Sequence, residues 1–274
     1  MVVILPHREP GLNLDLLLFG AGIAAEFSLI LLLIRTRAFR SFPAFFVYVC
    51  WSFVSDPLIY LAQTHLSPAA FLRIYLVQLT IDSAMIFMVL VEIAWSILRP
   101  LRASLPKYSW IVIASLIALA GILLWPIAGI TFPAHLSSAG ATLFRIEQTF
   151  AILRIVVFIA LAGFSQLLSI GWRNRELQLA TGLGLYSIVS LAVTVLHTRQ
   201  VVGVQYHWLD ELVSFSYVGV LIYWAVAFAT REAERRDFTP QMRDFLLAAA
   251  GTARSTRIAL MESPPVPPQS KDRF

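Results

Sequence analysis

Apolar residues gather into seven long runs along this chain, at roughly 14–34, 44–64, 71–98, 109–130, 146–170, 178–197 and 209–230. The segments between them alternate between arginine-rich and arginine-poor. A helix rises about 1.5 Å per residue, so about 20 apolar residues cross the ~30 Å hydrocarbon core of a bilayer. Every run reaches that length. The pattern predicts an all-α polytopic membrane protein, a bundle of seven transmembrane helices occupying residues 14–230.

The remaining chain divides simply. Residues 1–13 form a short N-terminal stretch holding His7, Arg8 and Glu9. The run behind it lacks the basic start and short apolar core of a cleaved signal peptide and reads as a retained helix. In residues 231–260, Thr239–Pro240 reads as an N-cap followed by proline at the first helical position. Met242, Phe245, Leu246 and Ala249 oppose Arg243, Asp244, Arg254 and Arg257, which predicts an amphipathic helix on the membrane surface. Residues 261–274, with Pro264, Pro265, Pro267 and Pro268, read as a disordered proline-rich tail; a ligand for a polyproline-reading partner is the lesser alternative.

The arginine alternation sets an orientation. Arg35, Arg37 and Arg40 follow the first run, Arg99, Arg102 and Lys107 the third, Arg173 and Arg175 the fifth, and Arg231, Arg235 and Arg236 the seventh, whereas the opposite side holds only Arg8, Arg73, Arg145 and Arg199. Cytoplasmic segments carry the excess of Lys and Arg, which places the N-terminus outside and the C-terminus in the cytoplasm. A net charge of +5 invites a nucleic-acid partner, but the basic residues sit at run ends, where they anchor orientation, so none is expected. The lipid bilayer is the expected partner, and a bacterial inner (plasma) membrane the expected location. Charged residues make up 14% of the chain against about a quarter in soluble domains. The single cysteine, Cys50, can form no internal disulfide.

Small residues suggest where helices approach closely: Ala180, Gly182, Gly184 and Ser187 in the sixth run, and Gly20, Ala21, Gly22, Ala24 and Ala25 in the first. Pro57 is expected to bend the second helix and free a carbonyl. Trp51, Trp95, Trp110, Trp125, Trp172, Trp208 and Trp224 lie mostly near run ends, as an interfacial belt would.

Ionisable residues within a span are costly and mark candidate sites. In the third run Tyr75, Gln78, Asp82, Met85, Val89, Glu92 and Ser96 recur in steps of three and four, which puts them on one helix face. Five are polar, so that face is expected inside the bundle. Counted from the outer surface, Asp56, Asp82 and Arg154 share a level and predict an outer network, with Glu147 and Arg145 above it; arginine suits this because it stays charged and binds carboxylates with two parallel hydrogen bonds. Glu26 and Glu92 fall at a second, inner level that no lysine or arginine reaches, so at least one is expected to be protonated, and the two to share a proton if adjacent. Three roles follow: helix register alone, a ligand cavity reached from outside, or a proton or cation path from Asp82 to Glu92.

Several chemistries are excluded or disfavoured. A retinal protein needs a Schiff-base lysine in the last helix; Leu209–Phe228 has none, and the only lysines are Lys107 and Lys271. His65, His135, His197 and His207 fall near the outer face, and His207 stands a turn from Asp210 and Glu211, a workable zinc set without the HxxxH or HExxH spacing of a zinc hydrolase. No catalytic residues or cofactor are expected, and the short loops leave no room for a kinase or nucleotide domain.

Phe42–Pro43–Ala44–Phe45–Phe46–Val47–Tyr48 opening the second run, Glu92 near the inner end of the third, and Leu179–Ala180–Thr181–Gly182–Leu183–Gly184–Leu185–Tyr186 in the sixth resemble uncharacterised bacterial seven-helix integral membrane proteins. That resemblance implies the fold and no catalytic residue. The leading expectation is a non-enzymatic, sensor- or receptor-like component that binds a small molecule from the outer side near Asp56, Asp82 and Arg154 and signals to a cytoplasmic protein partner. The alternatives are a proton- or cation-coupled transporter using Asp82, Glu92 and Glu26, and a membrane accessory or assembly subunit.

Overall fold

The computed structural model describes residues 12–97, 108–129, 138–164, 174–198 and 207–230. They form seven α-helices: α1 (Leu12–Arg35), α2 (Pro43–His65), α3 (Pro68–Ile97), α4 (Ser109–Leu124), α5 (Ser138–Phe164), α6 (Arg175–Thr198) and α7 (His207–Ala229). Residues 1–11 and 231–274, including the expected amphipathic segment and tail, lie outside the described residues, as do Arg99, Arg102, Lys107, His135, Trp172, Arg173 and Arg199.

Proline places two helix starts. Pro43 and Pro68 open α2 and α3, where a missing N–H leaves nothing unsatisfied and the fixed φ suits the first turn. Pro57 sits inside α2 without ending it. α1 closes at Thr36–Arg37, where Arg37 adopts a left-handed φ of 55°, and a 3-10 turn over Ala38–Arg40 leads into α2. Arg35, Arg37 and Arg40 are all exposed around this turn.

Six helices, all except α4, are long and apolar enough to cross a membrane, and the protein is a multi-pass helical membrane bundle. α4 has 16 residues, about 24 Å of helix, which falls short of a full hydrocarbon core. The apolar run 109–130 predicts one continuous span; the helix instead ends at Leu124. Pro126 supplies the reason, since it has no N–H for the Ile122 carbonyl and its ring clashes with an extended helix. The Trp125 N–H reaches Gly121 and Ile122, and a 3-10 turn over Ile127–Gly129 follows.

α1 packs between α2 and α7, and α6 between α5 and α7. Among the described residues α3 packs on α2, α4, α5 and α6, so it is the most connected helix, while α4 packs mainly on α3, α5 and the turn after itself. The dry core lies toward the end of the bundle where α2 and α6 begin: Leu29, Leu33, Phe45, Leu90, Ile93, Leu179, Leu221 and Phe228 are almost fully buried there. Phe45 is the hub, edge-on to Trp224 and stacked on Phe228 at 5.9 Å.

Glycine opens that packing on α6. A Cβ at Gly182 would overlap the Trp224 indole, and one at Gly184 would stand 2.6 Å from Phe158 of α5. The expected close approach therefore holds on both sides of α6. In α1 it holds only in part: Gly22 is buried near Tyr217, but Gly20 is exposed with nothing within 4 Å. The tryptophans divide in the same way. Trp110, Trp125 and Trp208 are exposed at helix ends, as a belt requires, while Trp224 is a core residue.

Candidate functional site

A cavity of about 280 Å³ lies among α1, α2, α3, α5, α6 and α7, toward the end of the bundle where α3, α5 and α7 begin and α6 ends; α4 contributes nothing to it. Each wall comes from residues at helical spacing. α3 brings Gln78, Asp82 and Ile86; α2 brings Tyr48, Ser52 and Asp56; α6 brings Tyr186, Ser190 and Thr194. Steps of four keep each set on one face of its helix, so burying the apolar remainder turns all three sets inward. α1 adds Glu26, α5 adds Glu147 and Arg154, and α7 adds Ser214 and Tyr217.

The third-helix stripe faces inward throughout: none of Tyr75, Gln78, Asp82, Met85, Val89, Glu92 and Ser96 is exposed, whereas Arg73, Thr80 and Met88 on the other side are. Asp56, Asp82, Arg154 and Glu147 do come together around the cavity, but the expected paired network does not form. Among the described residues neither Asp56 nor Asp82 accepts a hydrogen bond or makes an ion pair. Arg154, 8% exposed, lays its guanidinium 5.7 Å from the centre of the Tyr186 ring and leaves Nε without a hydrogen-bond partner. The carboxylates and the guanidinium reach the cavity from different walls, and the cavity itself separates them. Glu147 is held by Tyr75, whose hydroxyl donates to Oε1 at 2.6 Å. Gln78 donates to Ser55 Oγ at a long 3.5 Å. Arg145, expected above the network, does not line the cavity.

The two carboxylates expected at one inner level are separated. Glu26 belongs to the cavity, with Oε1 accepting the Tyr217 hydroxyl hydrogen, and the Tyr217 oxygen lies 3.0 Å from Ser52 Oγ. Glu92 lies outside it and caps α2: the N–H groups of Ala44 and Phe45 donate to Oε1 and Oε2 at 2.8 and 2.9 Å. The physical reason is local. Phe42 at the N-cap offers no side-chain acceptor and Pro43 has no N–H, so the orphan donors of the next two residues need an acceptor from another helix, and a carboxylate also suits the positive end of the helix dipole. The shared proton between Glu26 and Glu92 therefore has no geometric basis. Further along α3, Ser96 donates to Glu176 Oε1 of α6 at 2.9 Å.

For metals, no three His, Cys, Asp or Glu side chains converge among the described residues. Asp210 and Glu211 sit half-buried at the start of α7; the side chains of His197 and His207 lie outside the described residues, and His65 is exposed at the end of α2.

Sequence reasoning missed Tyr48, Ser52, Tyr186, Ser190, Thr194 and Tyr217. The signal was present in the i, i+4 steps of α2 and α6, but hydroxyl side chains carry no charge to draw attention within an apolar run. Compared with known proteins, the chain matches no protein-family model, no curated protein and no solved structure.

Proposed function

We propose that this protein is a non-enzymatic, receptor-like membrane component that crosses the membrane seven times, with its N-terminus outside, its C-terminus in the cytoplasm, and a small-molecule site in the cavity reached from the outer side. The observation that carries the reading is the cavity itself: six helices converge on a partly open space with four carboxyls, one guanidinium and several hydroxyls among its described wall residues. Ligand sites are concave, mostly preformed and furnished with a few converging polar groups. Charges that served register alone would be paired, because an unpaired buried charge is costly; Asp56 and Asp82 are not. With α4 as a seventh crossing completed by its following turn, the arginine clusters of the sequence all fall on the cytoplasmic side.

The signal would leave through α3. It holds Asp82 at the cavity, Glu92 at the start of α2 and Ser96 against α6. Movement at Asp82 is thus mechanically tied to α2 and α6 at the opposite end, where a cytoplasmic partner would read it.

Two measurements test this. Reporters fused at the N-terminus, after Arg40 and at the C-terminus should read outside, cytoplasm and cytoplasm; an outside C-terminus breaks the seven-span topology. A ligand screen on purified protein, read by thermal stabilisation, should find compounds whose effect disappears when Ala151 on the cavity wall is replaced by Trp. Steady solute flux into proteoliposomes would replace the receptor reading with transport.

A further inference from the structure

The charges around the cavity do not balance. Among the described residues four carboxyl side chains line it, Glu26, Asp56, Asp82 and Glu147, against the guanidinium of Arg154, a formal side-chain deficit of three when all are ionised (four minus one). The deficit is also uneven. Asp82 lies in the field of Arg154, and Glu147 receives the Tyr75 hydroxyl. Asp56 lies instead in the fields of two other carboxylates, Glu26 and Asp82. Among the described residues no lysine or arginine side chain acts on Asp56, so this end of the cavity holds two acids with no side-chain cation between them.

Glu26 adds a second, independent observation. It is 1% exposed; Oε1 is satisfied by Tyr217, while Oε2 is buried with no hydrogen-bond partner. A buried oxygen left without a donor, on a residue that lines a cavity, marks where a donor belongs. The neighbouring walls supply the hydroxyl of Ser52 and the aromatic rings of Phe19, Tyr48 and Tyr217.

No three acidic or imidazole groups converge among the described residues, so the cavity offers no multi-carboxylate cage for a small inorganic cation. A larger cation can meet the carboxylates one by one and lay its carbon skeleton on the rings, which attract positive charge through their faces. We infer that the ligand is a compact organic ammonium, its N–H donors set between Glu26 and Asp56 and its apolar body against Phe19, Tyr48 and Tyr217. The inference deepens the cavity reading above and rests on it. The volume, about 280 Å³, falls at the small end of ligand pockets, which suits a single-ring amine.

Three probes of equal shape and different charge test it on the full chain in lipid nanodiscs by calorimetry at neutral pH: 2-phenylethylammonium, 2-phenylethanol and 3-phenylpropionate. The ammonium should bind saturably and at least about tenfold more tightly than the alcohol, the size expected of one charge-assisted hydrogen bond, and the propionate should not bind. Asp56→Asn should abolish the preference for the ammonium, while Asp82→Asn, whose carboxylate lies in the field of Arg154, should weaken it less. Asp56 makes no hydrogen bond among the described residues, so its isosteric variant should stay monodisperse; Glu26→Gln, which keeps an acceptor for Tyr217, gives a second variant with the same expected loss. Equal or tighter binding of the alcohol or propionate overturns the ammonium class and leaves the cavity reading standing. Binding of the ammonium that survives both Asp56→Asn and Glu26→Gln overturns the proposed seat. Failure of all three probes to bind overturns the cavity reading and the ammonium proposal together.

Discussion

Glu92 and Asp56 are both half-buried carboxylates of the same bundle, one at each end of it, and they are treated differently. Glu92 gives each of its oxygens to a backbone N–H of α2, at the start of a helix whose own cap residue offers no acceptor. At that end of the bundle Phe45, Leu90, Ile93 and Phe228 are almost fully buried, and Glu92 does not line the cavity. Asp56 accepts no hydrogen bond among the described residues and stands on the wall of a cavity with two further carboxylates within its field. A carboxylate that serves stability is surrounded by donors; on the proposed reading, one held without donors and facing open space keeps its interactions for a ligand. The comparison separates structural from functional charge by what each oxygen touches, which residue type and depth do not reveal.

Substitutions can break this contrast. The largest effect is expected from Glu92→Ala, which strips an acceptor from two N–H groups of α2 at once and should cost about 3 kcal/mol, with Glu92→Gln, which keeps one acceptor, at about half. Thermal unfolding in detergent measures both, and a Glu92→Ala protein as stable as the parent would undo the capping role.

Next, Gly182→Ala and Gly184→Ala should each cost about 2 kcal/mol, because the added methyl meets Trp224 or Phe158 in a packed region. Gly20→Ala, with nothing within 4 Å, should stay within about 0.5 kcal/mol. Equal stability of all three would mean that the packing around α6 is looser than its geometry implies.

Tyr217→Phe sits between the extremes. It removes the hydroxyl that bridges Glu26 and Ser52 and should cost about 1 kcal/mol, with a change in ligand response since Tyr217 also lines the cavity. A stability loss with an unchanged ligand response would assign Tyr217 to structure alone.

The smallest stability effect is expected from Asp56→Asn, within about 0.5 kcal/mol, because no donor or basic side chain among the described residues is lost. Combined with lost ammonium binding, that result would complete the contrast with Glu92; a destabilisation as large as that of Glu92→Ala would erase it.

Much of the fold was legible in advance. Runs of about 20 apolar residues have few ways to exist other than as helices in lipid, because a backbone without water must satisfy its own hydrogen bonds. The inward face of α3 followed from its steps of three and four. The length of α4 was misjudged because apolar content continues past Leu124 while helix geometry does not continue through Pro126. The gathering of Asp56, Asp82, Arg154 and Glu147 followed from counting depth along each run. Their failure to pair did not, because depth says nothing about the distance between walls. Glu26 and Glu92 show the same limit: both were recognised as buried, and each was assigned to the other because no nearer partner was visible in one dimension.

By itself, then, the amino-acid sequence determined the class of solvent, the number of helices and the inward face of the charged stripe, since these depend on composition and on a period of 3.6 residues along one chain. Only the tertiary structure decided which oxygens are satisfied. Tyr217 lies 191 residues from Glu26, and Ala44 lies 48 residues from Glu92. Such partners meet through the packing of separate helices, and that packing is what turned one buried carboxylate into a cap and left another facing a cavity.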